Sequence, residues 1–199
     1  MKNLVAKTAV KTALIILGVL VVAFGIFNFA FPQHMATFTE NAGSYGLAVR
    51  YASLRYFYTG DVHDLARCVD DAILSGNPDY IVEYGGQFLS HEGRYEVIEE
   101  RNSSLSGIDY ENFVEGKVAV AYYELGNFSN ALELAYNFNG TTSFSYGNAL
   151  MTLSVAVADK ADTGSAERIL EILNLIAPAE PSEQAYLSEV CAMLGELKG

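Results

Sequence analysis

The chain has 199 residues, half of them hydrophobic, with 12 Lys and Arg against 24 Asp and Glu and a formal net charge of −12. That length suits one domain of ordinary size with a short appendage. A surface this negative repels nucleic acid and anionic lipid headgroups, so no nucleic-acid partner is expected and cationic partners are favoured.

Residues 1–11 carry Lys2, Lys7 and Lys11 and form a short basic N-terminus. From Thr12 to Phe31 there is no charged residue, and the run is almost wholly Leu, Ile, Val, Ala, Phe and Gly. At about 1.5 Å per residue, ~20 such residues span roughly 30 Å, the thickness of a bilayer core. Residues 12–31 are therefore expected to form a transmembrane helix, a signal-anchor. Two readings compete with it. A cleaved signal peptide has an apolar region of only about 7–15 residues and then a small-residue cleavage site, whereas this run ends in Phe27-Asn28-Phe29-Ala30-Phe31-Pro32. A buried core helix rarely runs this long without a polar face. Three lysines precede the run, and the first charge after it is Glu40. The positive-inside rule then places the N-terminus in the cytoplasm and the remainder outside the cell membrane. Phe24, Phe27, Phe29 and Phe31 gather at the outer end as a partial interfacial belt. Gly18 and Gly25 share a face but make no GxxxG pair, so no helix dimer is read from them.

Residues 32–44 read as a short polar linker that holds the domain close to the bilayer. All 24 Asp and Glu lie beyond residue 32, against nine Lys and Arg, a balance of −15. Charges that merely solvate helix faces produce the same composition. From residue 45 onward no strand-like alternation persists, and apolar residues recur at three- and four-residue spacing. The spacing predicts an all-α fold with helices near 45–59, 62–75, 79–91, 94–102, 110–125, 128–137, 145–159, 165–176 and 182–197. Gly60, Gly93 and Gly126 stand 33 residues apart, twice over. Each lies between two helical segments and precedes a polar and then an apolar residue, as in Gly60-Asp61-Val62 and Gly126-Asn127-Phe128. Gly closes a helix cheaply in the left-handed conformation, and Asp or Asn then caps the next one.

This pattern resembles the tetratricopeptide repeat (TPR), a helical hairpin of 34 residues. In the third unit Ala119, Tyr122, Gly126, Ala131 and Ala135 occupy the family's positions. In the first unit Ser53, Tyr56, Gly60 and Ala72 do so, with Leu65 where Ala is usual and Pro78 one residue late. The second keeps Gly86, Leu89 and Gly93, but Ile98 replaces a small residue and its second helix breaks at Asn102-Ser103-Ser104. The fourth has Ser154, Ala166, Leu170 and Pro178, and offers Ala161-Asp162-Thr163-Gly164 where the turn Gly belongs. The resemblance covers residues 45–180 and implies an α-solenoid of TPR-like hairpins behind a single transmembrane helix. Residues 181–199 would then supply the capping helix that terminal repeats need.

No catalytic signature occurs: there is no G-x-S-x-G, H-E-x-x-H, phosphate-binding glycine loop or C-x-x-C. No cofactor or metal is expected. His63 stands between Asp61 and Asp64 and can be read as a ligand set, although His34, His63 and His91 all suit helix starts. Asp70-Asp71 and Glu99-Glu100 are sequence neighbours and diverge on a helix. Cys68 falls in the first repeat and Cys191 in the last helix. A solenoid keeps such positions beyond the roughly 7 Å reach of a disulfide, so two free thiols are expected. Sequons occur at Asn102, Asn127 and Asn139, and Asn127 also suits an N-cap.

TPR arrays bind partners in a groove lined by first helices. By resemblance, the groove here comprises Arg50, Leu54, Phe57 and Tyr58, then Tyr80, Glu83, Gln87 and His91, then Phe113, Val120, Tyr123 and Glu124. It is aromatic, with few positive charges, and lacks the Lys- and Asn-rich clamp that grips a C-terminal carboxylate. A partner helix or extended peptide with apolar anchors and basic flanks suits it. Phe57, Phe113 and Val120 read equally well as core residues. The expected function is a membrane-anchored interaction scaffold, an accessory or assembly factor of an envelope complex. The alternatives are a membrane-tethered enzyme with an unrecognised site and a self-associating structural membrane protein.

Overall fold

The structure is a computed structural model that describes residues 2–104, 109–136, 149–176 and 181–197. These residues form helices α1 (Lys2–Ala30), α2 (Pro32–Asn41), α3 (Tyr45–Thr59), α4 (Val62–Ser75), α5 (Pro78–Ser90), α6 (Arg94–Ser104), α7 (Tyr110–Glu124), α8 (Phe128–Tyr136), α9 (Ala149–Asp159), α10 (Thr163–Leu173) and α11 (Pro181–Glu196). Among the described residues there is no strand, and the fold is all-α. Pro178, Asn139 and the first residues of the expected helix 145–159 lie outside the described residues.

Val10–Ala30 of α1 has a mean hydropathy of 2.6 and is long and apolar enough to cross a membrane. Only 6% of its most apolar window is buried, so α1 is not a core helix of the domain. The stretch expected to be a linker is instead largely helical. Pro32 opens α2 at a position where a missing N–H costs nothing. Met35, Ala36 and Thr39 of α2 are buried, and Glu40 pairs with Arg67 of α4. A polar sequence concealed this helix because its buried side is only three or four residues wide.

Local chemistry explains the helix ends. Gly60 and Gly126 have φ of 63° and 77°, in the left-handed region, as a Gly turn requires. Gly93 does not adopt that conformation. Its N–H donates to His91 Nδ1 (3.0 Å) instead, so the 33-residue glycine spacing joins two unlike turns. In the fourth turn Ala161 takes the left-handed role at φ 51°. Asp61, Asn77, Asp109 and Asp162 accept a backbone N–H from the first turn of the helices they precede. Asn127 does the same for α8 (3.3 Å to Asn130 N). The second helix of the second unit does not break at Asn102 but runs to Ser104, and Asn102 Oδ1 accepts the N–H of Tyr110 (2.7 Å).

The helix pairs in substantial contact are neighbours or next-neighbours in chain order. One apolar cluster gathers Val49, Leu65, Val69, Ile81, Phe88, Val97, Tyr110, Val114 and Val118. A second gathers Ala119, Leu150, Met151, Leu153, Val157, Ile169, Leu173, Leu187 and Leu194. Helix α7 gives buried residues to both, so it is the keystone between them. Two seams are unusually close. A Cβ on Gly85 of α5 would run into Val118 Cγ2 of α7, and one on Gly116 of α7 would stand 3.0 Å from Thr152 Oγ1 of α9.

Candidate partner-binding face

Helices α5, α7 and α9 lie side by side through those two glycine seams. Arg50 of α3 joins this row: its Nε donates to Tyr80 Oη of α5 (3.2 Å). Tyr80 and Tyr84 follow one turn apart, with ring centroids 6.3 Å apart. Glu83 and Gln87 on α5 are exposed, Tyr80 and His91 are half-buried, and His91 caps α5. On α7, Phe113 and Val120 are half-buried and Glu124 is exposed, with the Lys117 ammonium 5.6 Å over the Phe113 ring. On α3, Leu54 is half-buried, while Phe57 and Tyr58 are 81% and 60% exposed and meet edge to face at 5.8 Å.

Tyr123 stands apart. Only 9% of it is exposed, and its hydroxyl donates to Asp162 at the start of α10 (3.1 Å). Phe128 meets the ring edge-on and the Lys160 ammonium lies 4.8 Å above it. Burial and then Asp162 push its phenol up to about 12. It points between α7 and the α9–α10 turn, so it is a packing residue and offers no area to a partner.

The charged groups concentrate around α4. Arg55 bonds Asp64 (2.7 Å) and also reaches Gln33 at the start of α2. Thr59 donates to the other Asp64 oxygen (2.8 Å). Arg67 binds Glu40 (2.7 Å) and Thr37 (2.8 Å), both on α2. Asp70 receives Arg101 from α6 and Tyr110 from α7, each at 2.7 Å. Asp70 and Asp71 therefore do diverge. Asp71, however, meets the Glu40 carboxylate within hydrogen-bond reach across the α2–α4 contact. Two carboxyl groups can share a hydrogen bond only if one carries a proton. Burial, reinforced by Glu40, pushes Asp71 up to about 7, whereas Arg67 holds Glu40 below its usual range. Of the two, Asp71 is the one whose protonated form the fold favours. It is 3% exposed, and its Oδ2 is buried without a donor, closed to any substrate.

Both cysteines are free. Cys68 is buried, and desolvation together with Asp71 and Asp64 pushes its thiol up to about 12, which makes it inert near neutrality. His63 sits 3.1 Å from Asp61 and 3.3 Å from Glu100, with its pKa raised chiefly by the bond to Asp61. Among the described residues no group of three His, Cys, Asp or Glu could hold a metal ion.

No protein-family model, no curated protein and no solved structure matches this chain. The site is therefore read from its own residues. Sequence reasoning missed the glycine seams, because it attended to Gly86, which faces open space, rather than Gly85. The available signal was the presence of glycine inside a helix at all. It costs about 1 kcal/mol against Ala and is best explained by close packing.

Proposed function

We propose that this protein is a membrane-anchored interaction scaffold, an accessory or assembly factor of an envelope complex, whose helical domain docks a partner helix or peptide. In this reading α1 spans the bilayer with its N-terminus in the cytoplasm, in keeping with Lys2, Lys7 and Lys11 ahead of it. The hairpins α3–α4, α5–α6, α7–α8 and α9–α10 are TPR-like repeats and α11 closes the array. The left-handed turns at Gly60 and Gly126, the side-chain caps and the sequence-local packing support this reading. An array of hairpins that touch only near neighbours is the physical basis of a solenoid.

The observation that carries the proposal is the row of first helices. The two glycine seams hold α5, α7 and α9 in a continuous series, and α3 reaches it through the Arg50–Tyr80 bond. This row presents Tyr80, Glu83, Gln87, Val120 and Glu124 as exposed or half-buried side chains. Tyrosine offers apolar area and a polar tip together, and the two glutamates favour a partner with basic flanks.

In-cell photo-crosslinking from positions 80, 87 and 124 tests this. The expected result is one dominant adduct, lost when Tyr80 and Glu83 are both replaced by Ala. Absence of any adduct above background at all three positions would overturn the groove.

A further inference from the structure

Among the described residues, Phe57 and Tyr58 are the most exposed pair of adjacent aromatics on the domain, and their position relative to α1 gives them a different task from the other candidate groove residues. Two contacts tie the exit of α1 to α3. Tyr51 Oη donates to Asn28 Oδ1, half a turn before α1 ends (2.6 Å), and Arg55 bonds Gln33 at the start of α2. Tyr51, Arg55 and Tyr58 are spaced i, i+4, i+7, so they share one face of α3. Tyr58 lies about 4.5 Å further along that face than Arg55.

The direction of α3 follows from its hairpin with α2. Ser44 N bonds Thr39 O across the turn, and Gln33 meets Arg55 at the far end, so the two helices are antiparallel. Helix α2 does not fold back along the span, because α1 is exposed from Val10 to Phe24. Its Gln33, His34 and Thr37 are exposed and polar, which bars it from hydrocarbon. It must leave the bilayer or run along its surface. Helix α3 then returns toward the bilayer or lies parallel to it. If it returns, its C-terminal end, with Phe57 and Tyr58, is turned to the membrane. If it lies parallel, the face of Tyr51 and Tyr58 that holds the end of α1 is, with Phe57 about 100° around the helix from Tyr58.

We infer that Phe57 and Tyr58 are a second membrane contact, an aromatic foot seated in the headgroup region beside the exit of α1. The inference rests on α1 spanning the bilayer, and it takes Tyr58 out of the partner groove. Aromatic rings, tyrosine above phenylalanine, are favoured at that depth. A domain whose balance of charge is −15 is repelled by anionic lipid, so the foot works by aromatic insertion into a zwitterionic surface and not by charge. Phe27 and Phe31, whose rings stand 5.1 Å apart at the end of α1, are the aromatics of the span nearest to it in sequence. The result is a domain fixed in tilt, with its row of first helices held at a constant angle to the bilayer.

The chain contains no tryptophan, so a single substitution is a unique fluorescent reporter. Four full-length variants, Phe57→Trp, Tyr58→Trp, Leu17→Trp and Leu175→Trp, would be placed in phosphatidylcholine nanodiscs. Some discs would carry lipid spin-labelled near the headgroup and others lipid labelled deep in the chain. Leu175 is 82% exposed and follows α10, a helix with no substantial contact with α1. The expected result is blue-shifted emission at positions 57 and 58, several-fold stronger quenching by the shallow label than at 175, and protection from iodide. Quenching of Leu17→Trp by the deep label, with positions 57 and 58 left as water-exposed as 175, would overturn the foot while leaving the span intact. An unquenched Leu17→Trp would overturn the span and the foot together.

Discussion

The two ends of this molecule are built by different physics. Around α4, side chains are tied across helices by directional bonds: Arg67 to Glu40, Arg55 to Asp64, and Arg101 and Tyr110 to Asp70. Around α9, packing is aliphatic, with Leu150, Met151, Leu153, Val157, Ile169 and Leu173 all buried together. Apolar burial is strong but non-directional, whereas paired charges fix register at little net gain in stability. The polar end is the one attached to the apolar helix α1. There, directional bonds set the angle between α1, α2 and α3.

The largest expected effect lies at the aliphatic end. Leu153→Ala should cost about 2–5 kcal/mol, because it opens a cavity in a site with no exposure. Denaturant unfolding of the full chain in detergent measures it, and a loss below about 1 kcal/mol would mean that the site collapses around the change. The seam between the two ends comes next. Gly85→Ala should destabilise by about 1–3 kcal/mol, since Val118 is stiff at χ1 and cannot yield. Gly86→Ala, in open space on the same helix, should stabilise by about 0.5–1 kcal/mol. Equal effects at the two positions would remove the close α5–α7 approach.

The smallest effect is visible only through pH. Asp71 moves from its ordinary 3.8 to about 7 in the fold, and Glu115 from 4.5 to about 7, both chiefly through burial. The fold favours the protonated form of each, so their contribution is full below pH 4 and declines as pH rises to about 7. Glu40, Asp61 and Asp162 are shifted downward and act oppositely, losing their contribution as pH falls below their ordinary values. Stability should therefore peak on the acid side of neutrality. Asp71→Asn should flatten the decline between pH 4 and 7. Parallel pH profiles for the two proteins would show that Asp71 is ionised throughout.

Much of the fold was legible in advance. The uncharged run before Phe31, the helical spacing from residue 45 and the caps at Asp61 and Asn127 correspond to α1, to α3 through α11, and to two observed capping bonds. These are properties of a residue and its near neighbours. The candidate partner-binding face was less legible. Arg50 and Tyr80 do meet, but Tyr123 is buried, because periodicity identifies a helix face without saying what packs against it.

By itself the sequence determined the all-α class, the apolar N-terminal helix and most helix ends. Propensity, hydropathy and capping act over a few residues and can be read along a line. Only the tertiary structure decided that residues 32–41 are a helix, that Asp71 faces Glu40 across 31 positions, and that Gly85 rather than Gly86 lies in a seam. Those outcomes depend on which elements approach one another and how closely. Such pairings arise from long-range burial, which no short window of sequence contains.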